Sequence, residues 1–568
     1  MKNPLFKLKF LFLPIIMGIS FSFKVFSQIE NETAFEIKRI IITLHEKQSI
    51  EVEGVAVFSK TILPIFYETR NFEKGWVSDE SIDSTMKAIE RADFEGLNPA
   101  DYHIDILKKL KAEIDSVENP NPNTEAHFDL LLTDAVLLYA KHLFDGKVHP
   151  EKLESTWNLQ KRVFNGDTLG ILQDGIANNK IPQILETLKP QGTMYKGLKE
   201  YLAHYMEISI KGGWERISEG ETLRHGMVNE RVKAVRKRLA AEGFLPDMGM
   251  SIPFADLVIL DSITSNEKRV DEFFDREMAD AVARFQSHYS LDVDSAIGKM
   301  TLNAMNVPVE DRKNQIRVNL ERSRWVMGNL GKDFLIVNIA GFELFLIKDG
   351  EEVWHTNVVV GKKYHETPVF KNQIKYIVFN PTWTVPRSIV EKETLPKMRI
   401  DPNYINSNQM EIVDYSGNII SQNSLDQSSL TISKFPYMIR QKPGDHNALG
   451  RVKFIFPNSY SIYLHDTPSK SFFSRTSRAY SHGCVRVENP LILAEKLLDD
   501  PVKYNQEKIQ EILKTNKTKS IFLKEKLDVI LLYWTAEIHP DGKLYFKEDV
   551  YGRDKAVLKE LDEGRPKI

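Results

Sequence analysis

Residues 479–490 read AYSHGCVRVENP and hold the single cysteine of a 568-residue chain. His482 lies two positions before Cys484, and Arg486 lies two positions after it. Side chains two residues apart in a strand share a face, so an extended conformation predicts an imidazole and a guanidinium beside the thiol. A neighbouring base or cation lowers the pKa of a thiol and activates it as a nucleophile. The stretch therefore predicts a reactive cysteine.

A second histidine, His465, occurs upstream in SIYLHDTP. Two strands joined by a loop would bring it beside Cys484, and periodicity alone does not choose between His465 and His482 as the base. Gly483 lacks a Cβ and lets a substrate backbone approach, and the N–H groups of Gly483 and Cys484 could face a developing oxyanion. The two histidines and the cysteine would bind zinc only with a fourth ligand or a water, so we expect no metal site.

The region around this motif, residues 330–500, has the composition of a β domain. DFLIVNIAGFELFLIKDGEEVWHTNVVVG is rich in Val, Ile and Phe and predicts a hairpin at Asp349-Gly350. IKYIVFNPTWTVP predicts a further strand that ends before Pro381. The polar stretch between Lys397 and Arg440 is long for a loop in a compact domain. We expect it to be a mobile lid that orders over bound substrate.

Residues 501–568 form a C-terminal extension of this domain. Within it, KLDVILLYWTAEIHPDGKLYFKEDVYG predicts a strand pair around Asp541-Gly542. We expect the pair at the edge of the same sheet, and the extension as a whole to pack on a helical scaffold or on the catalytic sheet.

The motif resembles the signature of the L,D-transpeptidase (YkuD-type) catalytic domain. That signature is a histidine, a spacer and then Ser/Thr-His-Gly-Cys, which here are His465 and the run Ser481-His482-Gly483-Cys484-Val485-Arg486. Further stretches are similar to the same domain: VVVGKKYHETPVF at 358–370, FNPTWTVPRSI at 379–389 and RQKPGDHNALGRVKFIFPN at 440–458.

The resemblance implies a role for each motif residue. Cys484 would be the nucleophile and His465 the general base, while His482 and Gly483, with the Cys484 N–H, would shape the oxyanion site. His482 could equally be a structural hydrogen-bond donor. A third group should orient the base, and in this family it is often a backbone carbonyl or a hydroxyl next to that histidine. The residues that the resemblance places around the substrate or around His465 are Arg486, Ser481, Asp466 and Thr467.

A helical module precedes the β domain at residues 226–310. ERVKAVRKRLAAEGFL predicts an amphipathic helix that ends at Gly243, and DREMADAVARFQSHYSLDVDSAIGKMTLNAMNVP predicts a second helix, a turn and a short third helix. The module resembles the small three-helix peptidoglycan-binding domain, with an insertion between its helices. The residues that carry this resemblance are Leu239, Gly243, Ala281, Val282, Phe285, Gln286, Gly298, Thr301 and Leu302.

Residues 28–225 are predicted to be helical. AHFDLLLTDAVLLYAKHLFDGKV places apolar residues at helical spacing. FYETRNFEKGW and EGLNPADYH look like the scaffold domain of large periplasmic L,D-transpeptidases. The expected fold class is α+β and multidomain: a helical N-terminal scaffold, a three-helix peptidoglycan-binding-like module, and a mostly-β catalytic domain with a long lid insertion.

Residues 1–27 have the features of a signal peptide. Lys2, Lys7 and Lys9 form a basic start before an apolar run from Phe10 to Ile19, and small residues follow before Gln28. We therefore expect a periplasmic protein, tethered to the inner membrane only if the segment is retained. The net charge of −3 provides no global basic field, so we expect no nucleic-acid partner.

The resemblance implies an enzyme that forms 3→3 peptidoglycan crosslinks. Cys484 would form a thioester on a tetrapeptide stem and release D-Ala, without a metal or an organic cofactor, and carbapenems would acylate the same thiol. Stem peptides, glycan strands and other cell-wall synthesis proteins are the expected partners. An L,D-carboxypeptidase or a lipoprotein-anchoring acyltransferase would share this chemistry, and a non-catalytic wall-binding scaffold is the alternative of another class. A papain-like peptidase fits less well, because its cysteine precedes its histidine in the chain.

Overall fold

The structure is a computed structural model, and it describes residues 31–563 except 48, 161, 163, 165, 247–269 and 426–430. The predicted signal peptide and the insertion in the three-helix module lie outside the described residues. Within the described ranges, no helix combines the length and apolar character that a bilayer span requires.

The N-terminal region is helical, as the sequence predicts. Its central helix is α5, whose buried residues lie on nearly all of its sides, so neighbouring helices surround it. One small hairpin, β1 (Glu51–Val52) and β2 (Val55–Ala56), interrupts the helices. The helices are α1 (Glu32–Lys47), α2 (Ile62–Glu68), α3 (Asp79–Glu90), α4 (Ile104–Asp115), α5 (Pro122–Asp145), α6 (Pro150–Leu153), α7 (Gly166–Ala177), α8 (Ile181–Leu188) and α9 (Thr193–Ile210).

The three predicted helices of the next module are present. They are α10 (Arg231–Ala241), α11 (Arg276–His288) and α12 (Lys299–Met305). Gly243 ends α10 with φ +76, a conformation that glycine adopts without a Cβ clash. A long helix, α13 (Val309–Val326), then leads into the β domain and packs against α9.

A nine-stranded sheet forms the framework of the β domain. Its order is β13-β5-β14-β12-β11-β6-β15-β3-β4, and an additional β4–β5 pairing closes eight of the strands into a ring. The predicted hairpin at Asp349-Gly350 is confirmed by the pairing of Lys348 with Glu351. The strands are β3 (Phe334–Asn338), β4 (Glu343–Lys348), β5 (Glu351–Gly361), β6 (Phe370–Phe379), β11 (Val452–Ile455), β12 (Leu464–His465), β13 (Ala479–Ser481), β14 (Val485–Val487) and β15 (Lys519–Leu532).

Two apolar cores lie on opposite faces of this sheet. One core is internal to the β domain and includes Leu335, Leu464 and Val485, together with residues of α17 (Pro490–Leu498) and α18 (Gln506–Lys514). The other continues from the helical region onto the outward face of the sheet through Ile336 and Ile530. Both faces of the sheet are therefore buried, and the outward face packs against the helical region in one continuous apolar core.

The predicted lid is a folded subdomain rather than a polar loop. A second sheet has the order β7-β10-β8-β9, and its own core includes Leu395, Ile412 and Ile439. These apolar residues are spaced among many polar ones, which is why composition suggested a loop. Its elements are β7 (Trp383–Thr384), α14 (Arg387–Ile389), a π-helix (Val390–Thr394), α15 (Leu395–Ile400), α16 (Tyr404–Ser407), β8 (Met410–Val413), β9 (Ile419–Ile420) and β10 (Met438–Gln441).

The C-terminal extension contributes to both parts of the molecule. β15 lies inside the large sheet, between β6 and β3. The predicted strand pair forms as β16 (Ala536–Ile538) and β17 (Leu544–Phe546), but its predicted position at the edge of the large sheet is wrong, because it forms a sheet of its own. Leu544 and Phe546 are buried in the helical core, since the pair contacts α9 and α11. A last helix, α19 (Asp554–Glu563), packs on α13.

Candidate active site

Three adjacent strands place His465 between two cations. Lys453 on β11 pairs with His465 on β12, and His465 pairs with Arg486 on β14. Their neighbours Phe454, Leu464 and Val485 are fully buried in the β-domain core. Because side chains alternate along a strand, Lys453, His465 and Arg486 project together from the other face of the sheet.

Residues 482–484 form a bend between β13 and β14, so the predicted strand through this stretch is wrong. The bend occurs because β13 and β14 pair with β5 in opposite senses, one parallel and one antiparallel. Gly483 has φ +112, a backbone conformation that residues with a Cβ rarely adopt. His482 and Cys484 therefore do not share a strand face.

The hydroxyl of Ser481 holds this bend together. Ser481 is buried, its Oγ accepts a hydrogen bond from the Gly483 N–H at 3.0 Å, and the hydroxyl donates to the Cys484 carbonyl at 2.5 Å. The Gly483 N–H, one of the two predicted oxyanion donors, is therefore already engaged. A substrate-binding role for Ser481 stays a prediction, and its contacts here are internal to the protein.

Cys484 is a partly buried free thiol beside Tyr463. Its Sγ donates to the Ser461 carbonyl at 3.6 Å, and the next residue, Val485, donates its N–H to the Tyr463 carbonyl at 3.2 Å. Burial raises the pKa of the thiol, whereas hydrogen bonding from Tyr463 and the charges of Lys453 and Arg486 lower it in part. The net shift is upward, so the resting residue is a neutral thiol at pH 7.

His465 is buried and neutral. Its Nδ1 lies 2.5 Å from the carbonyl oxygen of Asp466, so Nδ1 carries the proton and Nε2 is left as the basic atom. Burial lowers the pKa of His465 to about 3, and the charges of Arg486 and Lys453 act in the same direction. The Asp466 main chain, rather than its carboxylate, thus orients the ring.

Cys484 directly precedes β14 and is the diagonal neighbour of His465 on the adjacent strand β12. The two strands pair in parallel, with Leu464 opposite Val485 and His465 opposite Arg486. Diagonal neighbours are within reach of long side chains. In the described residues no hydrogen bond joins Sγ to the His465 ring, and the Tyr463 ring lies 5.6 Å from the His465 ring, centroid to centroid. Catalytic hydrogen bonds are often long before substrate binds.

Asp466 and Thr467 are engaged in the loop after β12. The Asp466 carboxylate accepts the Arg451 N–H at 2.8 Å and the Lys470 ammonium. Thr467 is buried, and its Oγ1 accepts the Ser469 N–H at 3.2 Å. Substrate contacts by Asp466 and Thr467 stay predictions, and the hydrogen bonds present support the shape of the loop.

His482 faces the lid subdomain. Its Nε2 is 3.6 Å from Oε1 of Glu393 in the π-helix, and its ring centroid is 5.2 Å from that of His365. Partial burial and then the charge of Lys362 lower the pKa of His482. Of the two histidines that periodicity left open, His465 is the one fixed on β12, beside the strand β14 that directly follows Cys484, whereas His482 connects the bend to the lid.

Sequence reasoning missed Lys453 and Tyr463. The Lys453 ammonium lies 3.6 Å from the centroid of the Tyr463 ring, which favours attraction between cation and ring. Both could have been found from alternation: Tyr463 is two residues before His465, and Lys453 is the polar residue between buried Val452 and Phe454.

Sequence reasoning also missed Thr367 and Tyr551, which hold the bend at residues 482–484 through hydrogen bonds. Thr367 is fully buried; its hydroxyl donates to the Gly483 carbonyl at 2.8 Å and accepts the Gly361 N–H at 2.9 Å. The Tyr551 hydroxyl donates to the Gly361 carbonyl at 2.5 Å and accepts the Thr367 N–H at 3.2 Å. Tyr551 belongs to the C-terminal extension. The extension therefore stabilises the bend that carries Cys484.

A carboxylate and histidine cluster elsewhere is already neutralised by a lysine. Glu343, Glu537 and His539 lie close enough together to hold a cation. The Lys547 ammonium occupies this position, at 2.8 Å from Glu343 and 3.2 Å from Glu537. The cluster is therefore an ion-pair network of the protein and not a metal centre.

Family models match three parts of the chain. Residues 332–503 match the L,D-transpeptidase catalytic domain (YkuD), residues 228–305 match the "Putative peptidoglycan binding domain", and residues 62–202 match the "Scaffold domain". All eight predicted site residues fall within the first match.

A curated relative from Haemophilus influenzae, named "Putative L,D-transpeptidase", is 36% identical over 259 residues, which cover 44% of this chain and 51% of the relative. The chain thus spans about half the length of that relative.

Among solved structures, the Ldtfm–avibactam carbamoyl enzyme is 10% identical with a TM-score of 0.18, over 40% of this chain and 64% of that chain. The L,D-transpeptidase from Xylanimonas cellulosilytica is 13% identical with a TM-score of 0.16, over 56% of this chain and 99% of that chain. TM-scores this low support no inference about the fold.

The motif, the strands that present it and the matched domain models agree with one another. The chain therefore contains a YkuD-type L,D-transpeptidase catalytic domain, together with a peptidoglycan-binding domain and a helical scaffold domain.

Proposed function

We propose that the protein forms 3→3 crosslinks in peptidoglycan, with Cys484 as nucleophile and His465 as general base. The observation that carries the proposal is the placement of a neutral, buried imidazole on the strand next to the only thiol. An acceptor nitrogen and a protonated thiol are the pair that general-base catalysis needs.

In the first half-reaction, Nε2 of His465 takes the proton of the Cys484 thiol as sulfur attacks the carbonyl carbon of the third stem residue. The tetrahedral oxyanion accepts a hydrogen bond from the Cys484 N–H. The C–N bond to the terminal D-Ala then breaks, and the imidazolium returns its proton to the leaving amine. A thioester joins the stem to Cys484.

In the second half-reaction, the side-chain amine of the diamino acid of another stem attacks the thioester carbonyl. Its proton passes to Nε2 of His465, the C–S bond breaks, and sulfur takes that proton back. One amide is lost and one is formed, so no external energy source is required.

The two flanking cations act on both partners of the proton transfer. Arg486 and Lys453 lower the pKa of Cys484, which favours the thiolate. They also lower the pKa of His465, which keeps the resting imidazole unprotonated but makes it a weaker base. Resting Cys484 is nevertheless a thiol, and we infer that proton transfer accompanies attack rather than preceding it. Arg486 is the group we assign to a substrate carboxylate.

The lid subdomain and the location belong to the same proposal. His482 contacts Glu393 of the lid, so a stem that binds beside Cys484 and shifts His482 would also change this contact with the lid.

A peptidoglycan substrate implies an extracytoplasmic location, in agreement with the predicted signal peptide at 1–27.

Incubation of the purified full chain with disaccharide tetrapeptides tests the proposal. We expect masses of dimers that have lost one D-Ala, and no dimers with Cys484→Ala. Tripeptide monomers alone would identify a carboxypeptidase, since water would then be the acceptor. No product from the wild-type protein, or undiminished dimers from Cys484→Ala, would contradict the catalytic assignment.

A carbapenem provides an independent readout of the nucleophile. We expect one covalent adduct, localised to Cys484 by peptide mass. An unmodified Cys484 in a folded protein would favour the non-catalytic wall-binding scaffold.

A further inference from the structure

A cleft of about 470 Å³ lies between the peptidoglycan-binding module, the β domain and the β16–β17 pair. The module contributes Ser287, residues 289–293 and Met300, and the β domain contributes residues 340–343 and 474–478. The cleft therefore lies at the junction of the module and the β domain.

The wall formed by residues 474–478 belongs to the loop that joins the two proposed catalytic residues. This loop follows His465 and leads directly into β13 and the Cys484 bend. The hydroxyl of Thr476 donates to the carboxylate of Asp292 in the peptidoglycan-binding module. The module is therefore in direct contact with the segment that ends at the nucleophile.

A row of aromatic and guanidinium groups continues from the cleft toward Cys484. The Arg475 guanidinium lies 5.2 Å from the ring centroids of both Phe472 and Tyr480. Phe472 and Tyr480 stack at 4.9 Å, and the Arg486 guanidinium lies 5.7 Å from the Phe472 ring. Tyr480 keeps 37% of its surface exposed, so the row offers a flat face to a ligand.

The lining of the cleft suits a polar, ring-containing polymer. The serine hydroxyl groups can both donate and accept hydrogen bonds, the Thr476 oxygen and the second carboxylate oxygen of Asp292 can accept, and Arg475 can donate. Tyr545 adds apolar surface for the flat faces of sugar rings. An exposed arginine would also receive the lactyl or stem carboxylates that such a polymer carries.

We propose that this cleft and the adjoining Phe472–Tyr480 row bind the glycan strand whose stem peptide enters the active site. The inference rests on the proposed function, and it adds a subsite for the polymer that is distinct from the groups around Cys484. The cleft lets one glycan strand contact the peptidoglycan-binding module and deliver its stem to the thiol.

The test compares a polymeric substrate with a soluble one. Val293 lines the cleft and is exposed, and Val293→Trp would fill part of the space. Val502→Trp is the matched control, since Val502 is exposed and does not line the cleft. We expect Val293→Trp to crosslink intact sacculi about tenfold more slowly than wild type. Its rate on soluble disaccharide tetrapeptides should be unchanged, and Val502→Trp should match wild type on both.

Binding gives a readout that does not depend on turnover. In a Cys484→Ala background, affinity for glycan-chain fragments should fall with Val293→Trp and with Arg475→Gln, but not with Val502→Trp. Equal affinity, or equal rates on sacculi, for Val293→Trp and wild type would overturn the inference. No turnover of soluble tetrapeptides by the wild-type protein would instead contradict the proposed function. The binding comparison would then still test the cleft.

Discussion

At the scale of single residues, the charge state of Cys484 follows from its surroundings. Burial raises the pKa of the thiol more than Tyr463, Lys453 and Arg486 lower it. We therefore expect the rate of iodoacetamide alkylation to keep rising as pH increases past 8.5, about the usual thiol value. Arg486→Leu should slow alkylation at every pH below the new pKa, because it removes a cation that favours the thiolate. A plateau reached by pH 6 would instead indicate a resting thiolate–imidazolium pair.

Thr367 makes a second residue-scale prediction. Its hydroxyl is hydrogen-bonded to the Gly483 carbonyl and the Gly361 N–H in a fully buried site. Thr367→Val keeps the shape of the side chain but leaves these two backbone groups unsatisfied, a loss of about 1–3 kcal/mol. If about 1.4 kcal/mol of that loss appears in the barrier, kcat should fall roughly tenfold with little change in KM.

Thr367→Ser is the matched variant, because it retains the hydroxyl. We expect it to restore most of kcat, as measured by product masses over time. A Thr367→Val enzyme as fast as wild type, with an unchanged melting temperature, would show that the hydroxyl does not position the bend.

The sequence singles out the candidate residues that belong to a recognisable signature. Cys484 and Arg486 lie in one short run, and His465 is the upstream histidine of the same signature; their roles stay predictions. Alternation along the strands marks Lys453 and Tyr463 as candidates, but only the pairing of β11, β12 and β14 shows that they belong to the site. Thr367 and Tyr551 are far from Cys484 in the chain and meet it only in three dimensions. Gly483 was predicted to expose its N–H, but the neighbouring Ser481 hydroxyl engages it.

At the scale of secondary-structure elements, local sequence patterns predicted where elements occur better than where those elements lie in the fold. The helices of the scaffold and of the peptidoglycan-binding module and the hairpin at Asp349-Gly350 follow from periodicity and turn residues. The lid was mistaken for a loop, because its core is small and its polar residues are many. The position of β15 between β6 and β3 was not predicted, since sheet order depends on non-local pairing.

β15 leads to a prediction about the catalytic domain alone. Residues 332–503 match the family model but omit β15, which pairs with β6 along most of its length and with β3 on its other side. A fragment of residues 332–503 would expose both strand edges and the apolar residues beneath them. We expect it to be insoluble or to bind a hydrophobic dye, whereas the full chain should be soluble and dispersed.

The comparison is made by expressing fragment and full chain side by side and measuring soluble yield and near-ultraviolet circular dichroism. A soluble fragment with native-like aromatic signals would show that the ring of strands closes without β15.

At the scale of the whole molecule, α13 connects the parts. Glu321 accepts hydrogen bonds from the Val148 N–H at 2.7 Å, the Trp325 indole at 3.0 Å and the Arg324 guanidinium at 2.8 Å. Arg324 also lies 3.0 Å from the Tyr195 hydroxyl, and both charged side chains are fully buried. One carboxylate thus joins α13 to the scaffold, while the same helix leads into the catalytic sheet.

Glu321→Ala should destabilise the entire chain rather than one domain. It would leave the buried Arg324 charge without its ion-pair partner, at a cost of about 3–5 kcal/mol. Because the apolar core runs from the scaffold onto the outward face of the sheet, we expect one thermal transition, shifted to lower temperature. Glu511→Ala is the control, since the exposed Lys508–Glu511 pair is worth about 0–1 kcal/mol. A melting temperature for Glu321→Ala equal to that of the control, or two separate transitions in the wild type, would mean that α13 does not unite the domains energetically.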